Sequence, residues 1–156
     1  MKITFLFTGK TKIDYIEKGV EDYFRRIRHY IKTEIKIIPD LKNTKNMSEI
    51  EQMQKEGEAI LKELPSDAIL IIFDEKGKKF TSTGFSAFLQ KKMLEGKDLV
   101  MVIGGAYGFS DAVKKAAEFK ISLSDLTFSH QMVRIILLEQ AYRAFTIMRG
   151  EPYHHA

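Results

Sequence analysis

Three glycines in the run Gly104-Gly105-Ala106-Tyr107-Gly108 follow directly on the apolar stretch Leu99 to Ile103. A buried parallel strand ending in adjacent glycines leaves bare backbone at the carboxyl edge of a sheet. There a ligand can approach amide groups without side-chain obstruction. The spacing differs from the dinucleotide fingerprint Gly-x-Gly-x-x-Gly, and no Gly-Lys-Ser/Thr phosphate loop occurs. On pattern alone, a tight turn with positive φ angles and a ligand site weigh equally. A second stretch, Leu123-Ser124-Asp125-Leu126-Thr127-Phe128, alternates polar and apolar residues and could present backbone groups to a ligand. Its plainer reading is a loop that caps the last helix through Ser129. A third group, Tyr153-His154, offers stacking and acid–base chemistry, although such a pair near a chain end is most often a frayed tail. His29, His130, His154 and His155 lack the spacing and acidic neighbours of a metal site, and with no cysteine there is no thiolate ligand or nucleophile.

Arginines complete the candidates. Arg134, Arg143 and Arg149 punctuate the last helix and its exit, with side chains suited to phosphate but equally at home on an amphipathic edge. Arg25, Arg26 and Arg28 cluster with Lys10, Lys12 and Lys32. Asp14, Glu17, Glu21 and Asp22 lie among them, which favours a solvated face over a nucleic-acid groove.

The elements that must position these residues alternate between strand and helix. Strands are expected at 2–7, 33–38, 68–73, 99–103 and 119–123, and helices at 14–29, 47–64, 85–94, a short one capped by Ser110, and 130–148. Ser82 or Thr83 is expected to cap the third helix, and Asp74 to Lys79 reads as a charged turn. The apolar face of the second helix is broken around Glu56 and Gly57, which predicts an exposed middle. The order implies an α/β fold, a mostly parallel sheet of five to six strands with helices on both faces, in a single domain over 1–156. The last helix is apolar around most of its circumference. It is therefore either central or covered by a second copy of the chain, and a homodimer is the simpler outcome.

Composition narrows the class. At 156 residues, 44% hydrophobic and 29% charged, the chain is of ordinary globular make-up and not a disordered one. No apolar run reaches the roughly 18 residues of a membrane span, and the opening run is too short and too weakly charged for a secretory signal. A cytoplasmic protein is expected, with no membrane partner. The net charge of +4 suits an anionic partner such as RNA, but many basic enzymes bind none.

Taken in order, the opening strand with its Gly-Lys turn, the run Val102 to Gly108, the run Leu123 to Arg134, Glu139-Gln140-Ala141-Tyr142-Arg143-Ala144 and Pro152-Tyr153-His154 closely resemble the ribosomal RNA large-subunit methyltransferase H family of the SPOUT superfamily. The resemblance covers essentially the whole chain. It implies a SPOUT-like methyltransferase domain with a C-terminal trefoil knot, working as a homodimer. It also implies transfer of a methyl group from S-adenosyl-L-methionine to N-3 of a pseudouridine in large-subunit (23S) ribosomal RNA on the assembled ribosome, without a metal. Carried over by position, Phe73, Gly104 and residues Leu123, Ser124, Asp125, Leu126, Thr127 and Phe128 would form the cofactor pocket. Tyr153 and His154 would lie by the substrate as candidate catalytic groups. For an RNA substrate, Arg25, Arg26, Arg28, Arg134 and Arg143 are the candidate contacts on residue type alone. The family often has leucine in place of Phe73 and proline in place of Ser129. A noncatalytic ribosome- or RNA-binding protein is the rival reading. A nucleotide-binding protein using the glycine loop for phosphate is a second.

Overall fold

The computed structural model describes residues 1–155. Five strands, β1 (Ile3–Thr8), β2 (Thr33–Ile38), β3 (Ile69–Lys79), β4 (Leu99–Ile103) and β5 (Phe119–Ser122), form one sheet in the order β2-β1-β4-β3-β5. Every pairing is parallel. Five helices connect and cover them: α1 (Asp14–Ile27), α2 (Glu49–Lys62), α3 (Ser82–Leu94), α4 (Asp111–Ala116) and α5 (Met132–Met148).

Side chains alternate across the strands and so build two cores. Ile3, Phe5, Phe7, Ile71, Met101 and Ile103 face α1, α3 and α5, whereas Leu6, Leu70, Ile72, Val100 and Val102 face α2 and α4. Central strands buried on both faces explain the unbroken apolar runs at 69–73 and 99–103. Three helices start on hydroxyl caps. The Ser48, Thr81 and Ser110 side chains accept from the amides of Glu51, Gly84 and Val113, each worth about 1 kcal/mol. The cap of α3 is thus Thr81, one residue before the pair expected from sequence.

The charged segment after Phe73 is no turn. The chain leaves the ladder at Phe73 and rejoins it at Lys78, both opposite Ile121 of β5, so β3 continues to Lys79. Only glycine fits at position 77, because a Cβ there would stand 2.5 Å from the Ile121 carbonyl carbon. Lysines and acids obscured this strand in the sequence. Its outer half is largely exposed and carries no apolar face to read.

Helix α5 lies between α1 and α3, with Leu137, Leu138, Ala141, Ala144 and Phe145 in the core. Met132, Ile135, Ile136, Tyr142 and Ile147 are only half covered. Arg134 is wholly buried, so it is no RNA contact. Its guanidinium donates to the Thr8 and Gly9 carbonyls at 2.8 and 3.0 Å, to Thr11 Oγ1 at 2.9 Å and to the His130 carbonyl at 3.2 Å. It also lies 5.0 Å from the centre of the Phe7 ring. Arg134→Met is expected to lower unfolding stability by about 3 kcal/mol, because buried carbonyls would lose charged donors. Urea denaturation followed by circular dichroism measures this.

Candidate functional site

A cleft of about 600 Å³ opens at the carboxyl ends of β3, β4 and β5. The residues after Phe73 make one wall and the glycine loop from Gly104 to Phe109 makes another. Ser122 to Ser124 and Leu126 to His130 make the third. This is where an open α/β sheet binds ligands, since the loops leaving the strands converge there.

The glycine loop has little room for side chains. Gly108 alone of its glycines has positive φ, at 82°, and its amide donates to the Gly105 carbonyl at 3.2 Å. Gly104 instead backs onto Phe109, whose ring would lie 3.1 Å from an added Cβ. A Cβ on Gly105 would meet the Glu56 carboxylate at 2.6 Å. At these two positions the constraint is close approach and not backbone conformation: a Cβ on Gly104 would press the Phe109 ring, and one on Gly105 would displace the Glu56 carboxylate.

The loop after β5 caps the last helix and also borders the cleft. Ser129 Oγ accepts from the Met132 amide at 3.1 Å, capping the start of α5, while the residues before it line the cleft. The Leu126 amide donates to Ser124 Oγ at 2.9 Å, which turns the Leu126 side chain out over the rim, 74% exposed. Phe73, Gly104, Leu123, Ser124, Leu126, Thr127 and Phe128 all border the cavity. Asp125 is not among its lining residues. Its side chain turns outward into an ion pair with Lys79.

Several wall residues carried no legible sequence signal. Met53 reaches the cleft from α2, and Asp111 and Lys114 reach it from α4. The broken face of α2 was the one available hint, and it marks contact, not exposure. Gly57 is buried, and a Cβ there would fall 2.3 Å from Ser110 Oγ, so α2 presses directly on the end of the glycine loop.

The tail is ordered but stands apart from this cavity. Tyr153 donates to Glu139 Oε1 at 3.1 Å, lies 3.3 Å from the Tyr23 hydroxyl and packs edge-on against Tyr142. Arg143 is ion-paired with Glu139, lies over the Tyr153 ring and sits 3.3 Å from His154 Nδ1. Tyr30 donates to Glu151, and burial with that bond pushes its hydroxyl up to about 12. Burial and the Tyr23 hydrogen bond also push Tyr153 far above the ordinary phenol range, so it stays protonated and acts as a donor. Neither Tyr153 nor His154 lines the cleft of its own chain. Among the arginines, Arg25 and Arg26 pair with Asp22, Arg26 also lies over Tyr23 and Tyr142, and Arg28 lies over Phe24.

A family model described as "Predicted SPOUT methyltransferase" matches residues 1–154. The chain belongs to the SPOUT methyltransferase family. The Ribosomal RNA large subunit methyltransferase H of Parabacteroides distasonis is 55% identical over 156 residues, with 99% of each chain covered. Its namesake in Flavobacterium johnsoniae is 54% identical over the same span and coverage. Among solved structures, the SpoU methyltransferase AviRb of Streptomyces viridochromogenes aligns with 96% of this chain and 61% of its own, at 14% identity and a TM-score of 0.49.

In this SPOUT methyltransferase the cleft is lined by polar and apolar groups alike, and His130 is its one imidazole. Burial, reinforced by Arg134 and Lys12 and opposed by Asp40, holds His130 below its ordinary value of 6.5. The imidazole is therefore neutral in the folded protein at neutral pH. As pH falls through 6.5, the unfolded chain takes up the proton first, so stability should decline below that point. Resonances of His130 should titrate below 6.5 by NMR. His130→Gln should flatten the pH dependence of urea stability in that window.

Proposed function

We propose that this SPOUT methyltransferase transfers a methyl group from S-adenosyl-L-methionine to N-3 of a pseudouridine in 23S ribosomal RNA, on the assembled ribosome. The observation that carries the reading is the three-walled cleft at the glycine loop, in a chain similar along its whole length to enzymes named for large-subunit ribosomal RNA. The residues present suit this cofactor. Bare backbone at Gly104 and Gly105 suits a flat base, and Phe73, Leu123 and Phe128 supply apolar cover.

The cofactor supplies an activated methyl on a sulfonium, so the protein chiefly orients it in line with the ring nitrogen. Gly104 and residues 123–128, with Asp125 turned outward, hold the donor. No metal enters this reading. Among the described residues no group of three His, Cys, Asp or Glu is placed to hold one. A ribosomal substrate suits action in the cytoplasm. No described helix is long and apolar enough to cross a membrane.

Tyr153 stays protonated, and Arg143 donating to His154 Nδ1 puts the imidazole proton on Nε2. The tail therefore positions the target base by stacking and hydrogen-bond donation, and the N-3 proton passes to water. Because the tail does not border its own cleft, a homodimer is the arrangement that uses it. Packing of the half-covered side of α5 would bring one tail to the other protomer's cleft. The trefoil knot implied by the family resemblance is part of this proposal.

A chain ending at Gly150 is expected to bind S-adenosylmethionine normally, stay dimeric, and lose methyl transfer about a hundredfold or more. A tritiated-methyl assay on ribosomes, free subunits and naked RNA from a strain lacking the protein measures this and tests the substrate. Methyl transfer to no RNA by the intact chain would reject the reading.

For RNA, Arg25 and Arg28 are exposed and pair with Asp22 and Phe24 of α1, whereas Arg26 also lies over Tyr142 of α5. Their double replacement by glutamine should weaken ribosome binding and reduce the salt slope by about one to two. Cofactor affinity, measured in parallel by calorimetry, should not change.

A further inference from the structure

Glu56 stands behind the glycine loop, next to the residues that line the cleft but not among them. It projects from the middle of α2 onto the glycine loop, with Oε2 and Oε1 only 2.6 and 2.8 Å from where a Cβ of Gly105 would stand. Oε2 is buried and, among the described residues, is the only buried side-chain oxygen or nitrogen without a hydrogen-bond partner. No lysine or arginine forms an ion pair with it among those residues. Burial, with Asp40 adding to it, pushes the carboxyl above its ordinary range. A carboxylate kept in such a place is costly to the folded chain, and a cation arriving on the far side of Gly105 would relieve it. Gly105 itself borders the cavity, as does Met53 one turn earlier on α2.

The proposed donor carries one charge that its product lacks. When the methyl leaves, the electron pair of the carbon–sulfur bond stays on sulfur and the sulfonium becomes a neutral thioether. The remainder of the molecule is unchanged. We propose that Glu56 is the charge-sensing residue of the cleft, its carboxylate against Gly105 favouring the sulfonium donor over the thioether product. The inference rests on the S-adenosylmethionine reading. Two unit charges about 12 Å apart, at an effective dielectric of about 20, give a preference of about tenfold. The same charge then assists turnover, since the spent cofactor loses that attraction as soon as the methyl has gone.

Glu56→Gln separates this from a purely structural role, because the amide keeps the shape against Gly105 and removes the charge. Affinities for S-adenosylmethionine and S-adenosylhomocysteine are measured by calorimetry on the full chain, with folding checked by circular dichroism. The expected result is about a tenfold loss for the sulfonium compound and a change within about twofold for the thioether. Glu56→Asp, which keeps the charge one methylene further away, should lose less of the preference and stands in if the glutamine variant does not fold. Equal losses for the two compounds, or no loss for either, would overturn the proposal. An intact chain that binds neither compound would overturn the cofactor reading and the proposal with it.

Discussion

A buried cation without a carboxylate partner ties the molecule together. Arg134 is wholly inaccessible, and its donors go to the carbonyls of Thr8 and Gly9, to the Thr11 hydroxyl and to the carbonyl of His130. Burial lowers its pKa to about 10, opposed by Asp40, so it remains charged at neutral pH. Carbonyl dipoles and the Phe7 ring replace the water it has lost. The consequence is geometric. The end of β1 and the start of α5 are clamped to one another, and the loop that precedes α5 is the third wall of the cleft. Gln131 repeats the link by accepting from the Lys12 amide and donating to the Lys10 carbonyl.

The clamp also explains why much of the architecture is legible in sequence and the site only partly so. Strands β4 and the inner part of β3 are buried on both faces, which writes them as continuous apolar runs. Amphipathic α1 is equally plain, since Ile16, Val20 and Ile27 recur at helical spacing. The outer half of β3 is hidden because backbone pairing with β5 holds it, and pairing leaves no trace in side-chain polarity. Arg134 is hidden for a related reason. An arginine at an amphipathic edge and one satisfied wholly by carbonyls look the same in a sequence, and only the fold of residues 8–11 tells them apart.

The cleft shows the same division. Gly104-Gly105 and the 123–128 stretch stand out because local chemistry at the end of a strand is written locally. Glu56, Gly57 and Met53 come from a helix whose pattern merely looks interrupted. Their role depends on α2 lying close enough to Ser110 to crowd out a Cβ on Gly57 and to set the Glu56 carboxylate against Gly105. Long-range approach of this kind is encoded as a missing side chain, which a single sequence cannot distinguish from a weak helix.

The tail sharpens the point about what holds a site together. Tyr23, Tyr30, Tyr142 and Tyr153 pack with Arg26, Arg143 and Arg149 over their rings, and Glu139 and Glu151 accept their hydrogen bonds. A terminus with that many partners is not frayed, and the entropy lost in ordering it is offset by aromatic and cation–π contacts within a few residues of the end. Yet the same contacts keep Tyr153 protonated and place Arg143 beside His154 Nδ1, so the ordered tail holds a phenol and not a phenolate. A tail built in this way suits presenting a base to a donor already activated by its own charge. That in turn leaves the handling of charge to the carboxylate behind the glycine loop.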